Sequence, residues 1–178
     1  MALVLINSYP PRRALAACVI NKRMSRQTEF FQAVASRNIV RVRVAAVVVS
    51  NGSVLVQRPT HEPTSCYAFI GGEYEVGDTF ETRIRREFEE ETTARVLDWR
   101  YLIVVENRFT AGGNTFQGLE HYLEVTLDRR NVESREAHLS QHWLPLAELQ
   151  DYDIRPHIVR NALASGNLHN VSHLTEAT

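Results

Sequence analysis

Cysteine is almost missing from this chain. Only Cys18 and Cys66 occur in 178 residues, with no CxxC spacing. That scarcity argues against a disulfide-built scaffold and a cysteine-clustered zinc site, and it makes a reducing, cytoplasmic compartment the expectation. A dominant charge is missing as well: 20 Lys and Arg stand against 21 Asp and Glu, a formal net charge of -1. No overall basic field attracts nucleic acid, so a partner has to be recognised by a local site. No apolar run approaches the ~18 residues of a membrane span, so no membrane partner is expected. Repeats and low-complexity tracts are absent too. What remains is an ordinary globular composition, 44% hydrophobic and 23% charged, at a length that suits one domain rather than two.

Acidic residues are also absent from positions 1–28, which carry Arg12, Arg13, Lys22, Arg23 and Arg26. A basic, acid-free leader is a transit-peptide signature, and Ala14 to Ile20 has the apolarity of a short signal core. Pro10-Pro11 interrupts the one and no A-x-A cleavage site follows the other. The expectation is therefore an extension over 1–37, poorly ordered in its first part and compatible with a start at Met24. One domain is expected over 38–166 and a polar tail that frays over 167–178.

From Asn38 the pattern turns to β-branched residues. VRVRVAAVVVSNGSVLVQRP reads as a long strand, a turn at Ser50-Asn51-Gly52 and a second strand ending at Arg58-Pro59. Cys66 to Ile70 reads as a short strand. Arg95 to Phe109 and Phe116 to Leu127 read as strands flanking a turn at Gly112-Gly113-Asn114. His138 and His142 stand four apart, yet Leu replaces the Glu that a zinc-binding HExxH helix needs. A last helix opens at Arg155-Pro156, with Ile158, Val159, Ala162 and Leu163 as its apolar stripe and Gly166 as its stop.

The chemistry concentrates in GGEYEVGDTFETRIRREFEEETTA, Gly71 to Ala94. On a helix Glu87, Glu90 and Glu91 share one face, while Phe80, Ile84 and Phe88 recur every four residues for docking on a sheet. Arg83–Glu87, Arg85–Glu89 and Arg86–Glu90 are plausible helical ion pairs, each worth ~0.2 to 0.5 kcal/mol. Glu91 breaks that pattern, because the residue four before it is Glu87. Such repulsion is tolerable if a cation lies between the carboxylates, and oxygen-only ligands suit a hard ion such as Mg2+. Ordinary surface ion pairing is the competing reading.

The segment resembles the Nudix box, G-x5-E-x7-R-E-U-x-E-E-x-G-U, at Gly72, Arg86, Glu87, Phe88, Glu90 and Glu91. At ~7% per residue type, the five charged or glycine identities coincide by chance about once in a million windows. Asp78, Thr93 and Ala94 depart from it, and the β-branched Thr93 predicts a helix end other than the usual left-handed glycine. The resemblance implies an α/β fold, a Nudix-type α/β/α sandwich with a mixed sheet. It also implies Mg2+- or Mn2+-dependent hydrolysis of the pyrophosphate bond in a nucleoside diphosphate linked to another moiety. Glu87, Glu90 and Glu91 then become catalytic metal ligands, joined by the Gly71 carbonyl. Arg86 is expected to steady a box glutamate, with Gly72, Glu75 and Asp78 supporting the loop. Glu120 and Glu136 are candidates for an extra acid. Arg58, by its place at a strand end, and Arg41 and Arg43 are candidate phosphate contacts, the last two alternatively plain edge charges. Phe109, Phe116 and Tyr101 could stack on a base or simply fill core. The resemblance allows a homodimer. Two other readings stand beside hydrolysis: a Nudix-fold binding or regulatory module, and an isoprenoid diphosphate isomerase whose Cys and Glu positions cannot be assigned here.

Overall fold

The protein is described here by a computed structural model covering residues 26–111, 113–170 and 172–177. The expectations for the leader before Arg26, including the start at Met24, lie outside these residues. The chain runs α1 (Arg26–Arg37), β1 (Arg41–Val47), β2 (Val49–Ser50), β3 (Ser53–Pro59), β4 (Tyr67–Ala68), β5 (Gly71–Glu73) and α2 (Phe80–Glu91). It continues through β6 (Val96–Ala111), β7 (Asn114–Leu127), β8 (Leu139–Pro145), a 3-10 turn at Leu146–Asp151, β9 (Ile154–Arg155) and α3 (His157–Ala164). A second 3-10 turn at Leu168–Asn170 precedes β10 (His173–Ala177).

The long valine run does not form one strand. β1 lies in a mixed sheet of order β10-β6-β7-β1-β5, whereas β2 leaves at Val48 to begin a second sheet of order β2-β3-β4-β9, with β8 on β3. Where β1 ends, opposite Glu124, Ala46 N–H is already bonded to the Ile70 carbonyl and the Val48 carbonyl accepts Leu55 N–H. The expected turn does form. Asn51 and Gly52 have φ of 48° and 69°, the positive angles that suit a tight hairpin to strand twist.

Alternation along β1 divides the core. Val44 and Ala46 pack with Ile84 and Phe88 of α2, while Ala45 and Val47 pack with Val159 of α3. Two helices thus cover opposite sides of the sheet system, an α/β/α arrangement. The tail does not fray as expected. His173 to Ala177 pair in parallel with Val104 to Arg108, Leu174 packs on the α3-side core, and Glu176 is largely buried. One large apolar residue in HLTEA, Leu174, is too weak a signal to read, and backbone pairing holds the strand instead.

Candidate functional site

Helix α2 is fixed at both ends. Thr82 N–H donates to Thr79 Oγ1 at 3.1 Å and Thr79 N–H to Thr82 Oγ1 at 2.8 Å, a reciprocal cap. At the other end Thr92 is extended (φ -138°) and its hydroxyl donates to the Phe88 carbonyl at 2.9 Å. Thr93 N–H then donates to the Glu133 carbonyl, and Thr93 Oγ1 accepts from Glu133 N–H. No left-handed residue is used, which is why threonine serves where the box has glycine.

Glu87 is buried against β5. A Cβ added to Gly72 would stand 1.9 Å from Glu87 Oε1, so the bare backbone at Gly72 makes room for that carboxylate. Arg83 Nη1 donates to Glu87 Oε1 at 3.0 Å. The same guanidinium reaches Asp78 Oδ2 through Nε at 2.7 Å and Glu75 Oε2 through Nη2 at 2.7 Å. Burial alone would lower the Arg83 pKa, but hydrogen bonds to Asp78, Glu87 and Glu75 outweigh it and raise it.

Arg83, not Arg86, therefore holds a box glutamate. Arg86 lies 3.4 Å from Asp78 and 3.9 Å from Glu75, and Arg85 pairs with Glu81 rather than Glu89. The loop from Glu75 to Asp78 folds back over the first turns of α2 and offers carboxylates nearer than those a turn ahead. Replacing Arg83 with Met leaves Asp78 and Glu87 without their shared cation. The expected cost is about 3 kcal/mol in urea unfolding.

Glu91 is also largely buried, and Gln57 Nε2 donates to its Oε2 at 3.0 Å. Burial, followed by repulsion from Glu87 and Glu136, pushes its pKa up to about 7, against the lowering effect of the Gln57 bond and of Arg43. Glu90 is exposed. No three His, Cys, Asp or Glu side chains among the described residues are gathered in an ion-holding geometry. The donor chemistry nevertheless fits a hard divalent ion, because a carboxyl kept protonated by burial and a neighbouring carboxylate is one that a cation would ionise.

The remaining candidates scatter. Glu136 acts on Glu91 through its charge and sits in a loop tied to α2 by Arg135 N–H to the Glu91 carbonyl at 2.9 Å. Glu120 is engaged elsewhere, accepting from Asn107 Nδ2 and the Tyr122 hydroxyl, each at 2.8 Å. The Gly71 carbonyl accepts from Arg43 Nη2 at 3.0 Å, and that guanidinium also bonds the Phe69 carbonyl at 2.7 Å. Arg41 lies 3.7 Å from Glu73. Arg58 belongs to the other sheet, donating to the Pro63 carbonyl and lying 5.0 Å over the Tyr67 ring. Of the aromatic candidates, Phe109 and Phe116 stack on each other, while the Tyr101 hydroxyl meets His121 Nδ1.

A cavity of about 380 Å³ opens beside this array, lined among others by Cys66, Asn107, Phe109, Asp153 and Arg155. Strand β4 lies between it and the acidic helix: Ala68 pairs with Gln57, whose side chain reaches Glu91, and with Arg155, which lines the cavity. Arg41, Arg43 and Arg58 do not line it. Asn107, Arg155 and Gln57 escape sequence reasoning because nothing local marks them. Arg83 is different, since its i, i+4 spacing to Glu87 is plain.

Among curated proteins no match was found. Solved structures do match. A MutT NUDIX hydrolase from Burkholderia pseudomallei is 23% identical, covering 71% of this chain and 97% of its own at a TM-score of 0.55. A mutator MutT protein from Bacillus halodurans is 16% identical, with coverages of 76% and 88% and a TM-score of 0.58. The NUDIX domain of Shewanella oneidensis NrtR, solved with ADP ribose, is 15% identical, with coverages of 82% and 99% and a TM-score of 0.57. At such identities the likeness is one of fold. The sequence profile of the NUDIX domain, however, matches residues 40–162, which takes in β1 through β9 and the whole acidic helix, and the chain belongs to that family.

Proposed function

We propose that the protein is a metal-dependent hydrolase that cleaves the pyrophosphate bond of a nucleoside diphosphate linked to another moiety, in the cytoplasm. The observation that carries this reading is the unbalanced acid pair of α2, with Glu87 bonded to Arg83 and Glu91 bonded to the neutral amide of Gln57. Mg2+ or Mn2+, held by Glu87, Glu90 and Glu91, would neutralise phosphate oxygens and lower the pKa of the attacking water. The chain does the rest. Arg83 fixes the Glu87 carboxylate, Gly72 admits it, and Gln57 bonds one oxygen of Glu91 from the side of β3. Glu136 is the better-placed extra acid. Arg58 is the candidate phosphate contact, and the cavity between Cys66 and Arg155 has room for the base or the second moiety.

The test is a panel of nucleoside diphosphate derivatives, nucleoside triphosphates and dinucleotides, assayed with Mg2+ and with Mn2+. Turnover of at least one class is expected, and none with either ion would overturn the reading. Metal should also stabilise the chain in a pH-dependent way. With Glu91 ionised at pH 8, Mg2+ is expected to raise the Tm by several degrees, and at pH 5 by much less. Scanning calorimetry with and without EDTA reads the difference.

A second reading, a binding or regulatory module, draws on the acids not being gathered in advance and on the NrtR domain solved with ADP ribose. It predicts saturable binding of such a ligand without product.

A further inference from the structure

Strand β3 buries Val54, Leu55 and Val56 and then, next in line, Gln57, which is only 7% exposed. An amide in that setting is costly unless both its ends are bonded. Both are. Gln57 Nε2 donates to Glu91 Oε2 at 3.0 Å, and Gln57 Oε1 accepts from Gln141 Nε2 at 3.2 Å. Gln141 stands directly opposite on β8, so sheet register presents the second amide to the first. Once a cation ionises Glu91 its carboxylate can only accept, and the amides already stand that way, with the Gln57 NH2 toward Glu91 and its carbonyl toward Gln141. Gln141 Oε1 ends the chain, buried and without a hydrogen-bond partner among the described residues.

We propose that Gln57, braced by Gln141, is a positioning residue that pins one oxygen of Glu91 and leaves the other for the metal. This rests on the hydrolase reading above and gives the Gln57 bond a role in it. A neutral amide suits the task better than a cation would. Lysine or arginine at this place would neutralise Glu91 and repel a divalent ion, whereas an amide orients the carboxylate without competing for its charge. Groups of this kind, bonded to metal ligands from behind, commonly contribute 10- to 100-fold in metal affinity or activity.

The test compares wild type, Gln57→Met, Gln141→Met and the double variant, Met being close in shape and unable to hydrogen-bond in this way. Mn2+ affinity is read by electron paramagnetic resonance on the substrate-free protein, and kcat and KM on the best substrate of the panel. Gln57→Met is expected to weaken Mn2+ binding about 10- to 100-fold and to lower kcat with KM little changed. Gln141→Met, farther from the helix and safer for folding, should lose less, about threefold to tenfold. It should add nothing once Gln57 is Met. Wild-type Mn2+ affinity in Gln57→Met, no Mn2+ binding by the wild type, or single losses that multiply in the double variant would each overturn the proposal. A wild type that binds Mn2+ yet turns over nothing removes the hydrolase reading alone, because the affinity series still decides the relay.

Discussion

Glu91→Gln is expected to lower turnover by at least ~10³-fold, about 4 kcal/mol of transition-state stabilisation, and at the same time to make the metal-free protein more stable at pH 8. The two effects have one source. In the folded chain burial and the Glu87 charge raise the Glu91 pKa to about 7 from an ordinary 4.5. The native state therefore holds this proton more tightly than the unfolded state does, and stability falls as pH rises from about 4.5 to about 7. Below that window Glu91 is protonated in both states and costs nothing. Above it the full penalty applies, ~3 kcal/mol at 1.36 kcal/mol per unit of pKa. Glutamine carries no charge to desolvate, and its carbonyl can still accept the Gln57 bond. Urea unfolding in EDTA at pH 5 and pH 8 should show a wild type that weakens with pH and a variant that changes far less. Saturating Mg2+ should narrow the gap at pH 8. Turnover within tenfold of wild type would remove Glu91 from the chemistry, and equal stability of the two proteins at pH 8 would remove the electrostatic argument.

What could be read in the chain beforehand follows the range of the forces involved. The three glutamates and the Phe80, Ile84, Phe88 stripe are set by helical period, a property of a dozen neighbouring residues, and Ile84 and Phe88 are indeed fully buried. The Asn51-Gly52 turn is equally local, because those residue types tolerate positive φ. Long-range pairings were hidden. Gln57 meets Glu91 across 34 positions, and nothing in VLVQRP says that its glutamine faces inward. The break at Val48 was hidden too. β1 and β2 use the same β-branched residues, and only their separate partners, β7 and β3, show that the run serves two sheets. The Arg86 pairing failed for a related reason: helical spacing offers Glu90, but the folded-back loop brings Asp78 within 3.4 Å.

Two adjacent glycines should give opposite phenotypes. At Gly71, φ is +154° and an added Cβ would stand 2.2 Å from the Val44 carbonyl oxygen and 2.6 Å from Ala45 Cα. Both are backbone of β1, flanked by β5 and β7, and neither can yield without breaking the pairing of Ala45 with Gly71. Fully buried Ile70 and the Arg43 bond to the Gly71 carbonyl would shift with it. Gly71→Ala is therefore expected to cost at least about 4 kcal/mol, or about 10 °C in Tm, whatever the metal content. At Gly72 the clash is with Glu87 Oε1 and Cδ, the far end of a side chain that can swing away. Gly72→Ala should fold, losing about 1 to 2 kcal/mol as the Arg83–Glu87 bond breaks. Its turnover should fall about 100-fold, because the displaced carboxylate no longer faces the site. Calorimetry and kinetics on the pair separate the roles. A stable Gly71→Ala would mean that β5 is not held against β1 as described, and a fully active Gly72→Ala would mean that the buried position of Glu87 is not the working one.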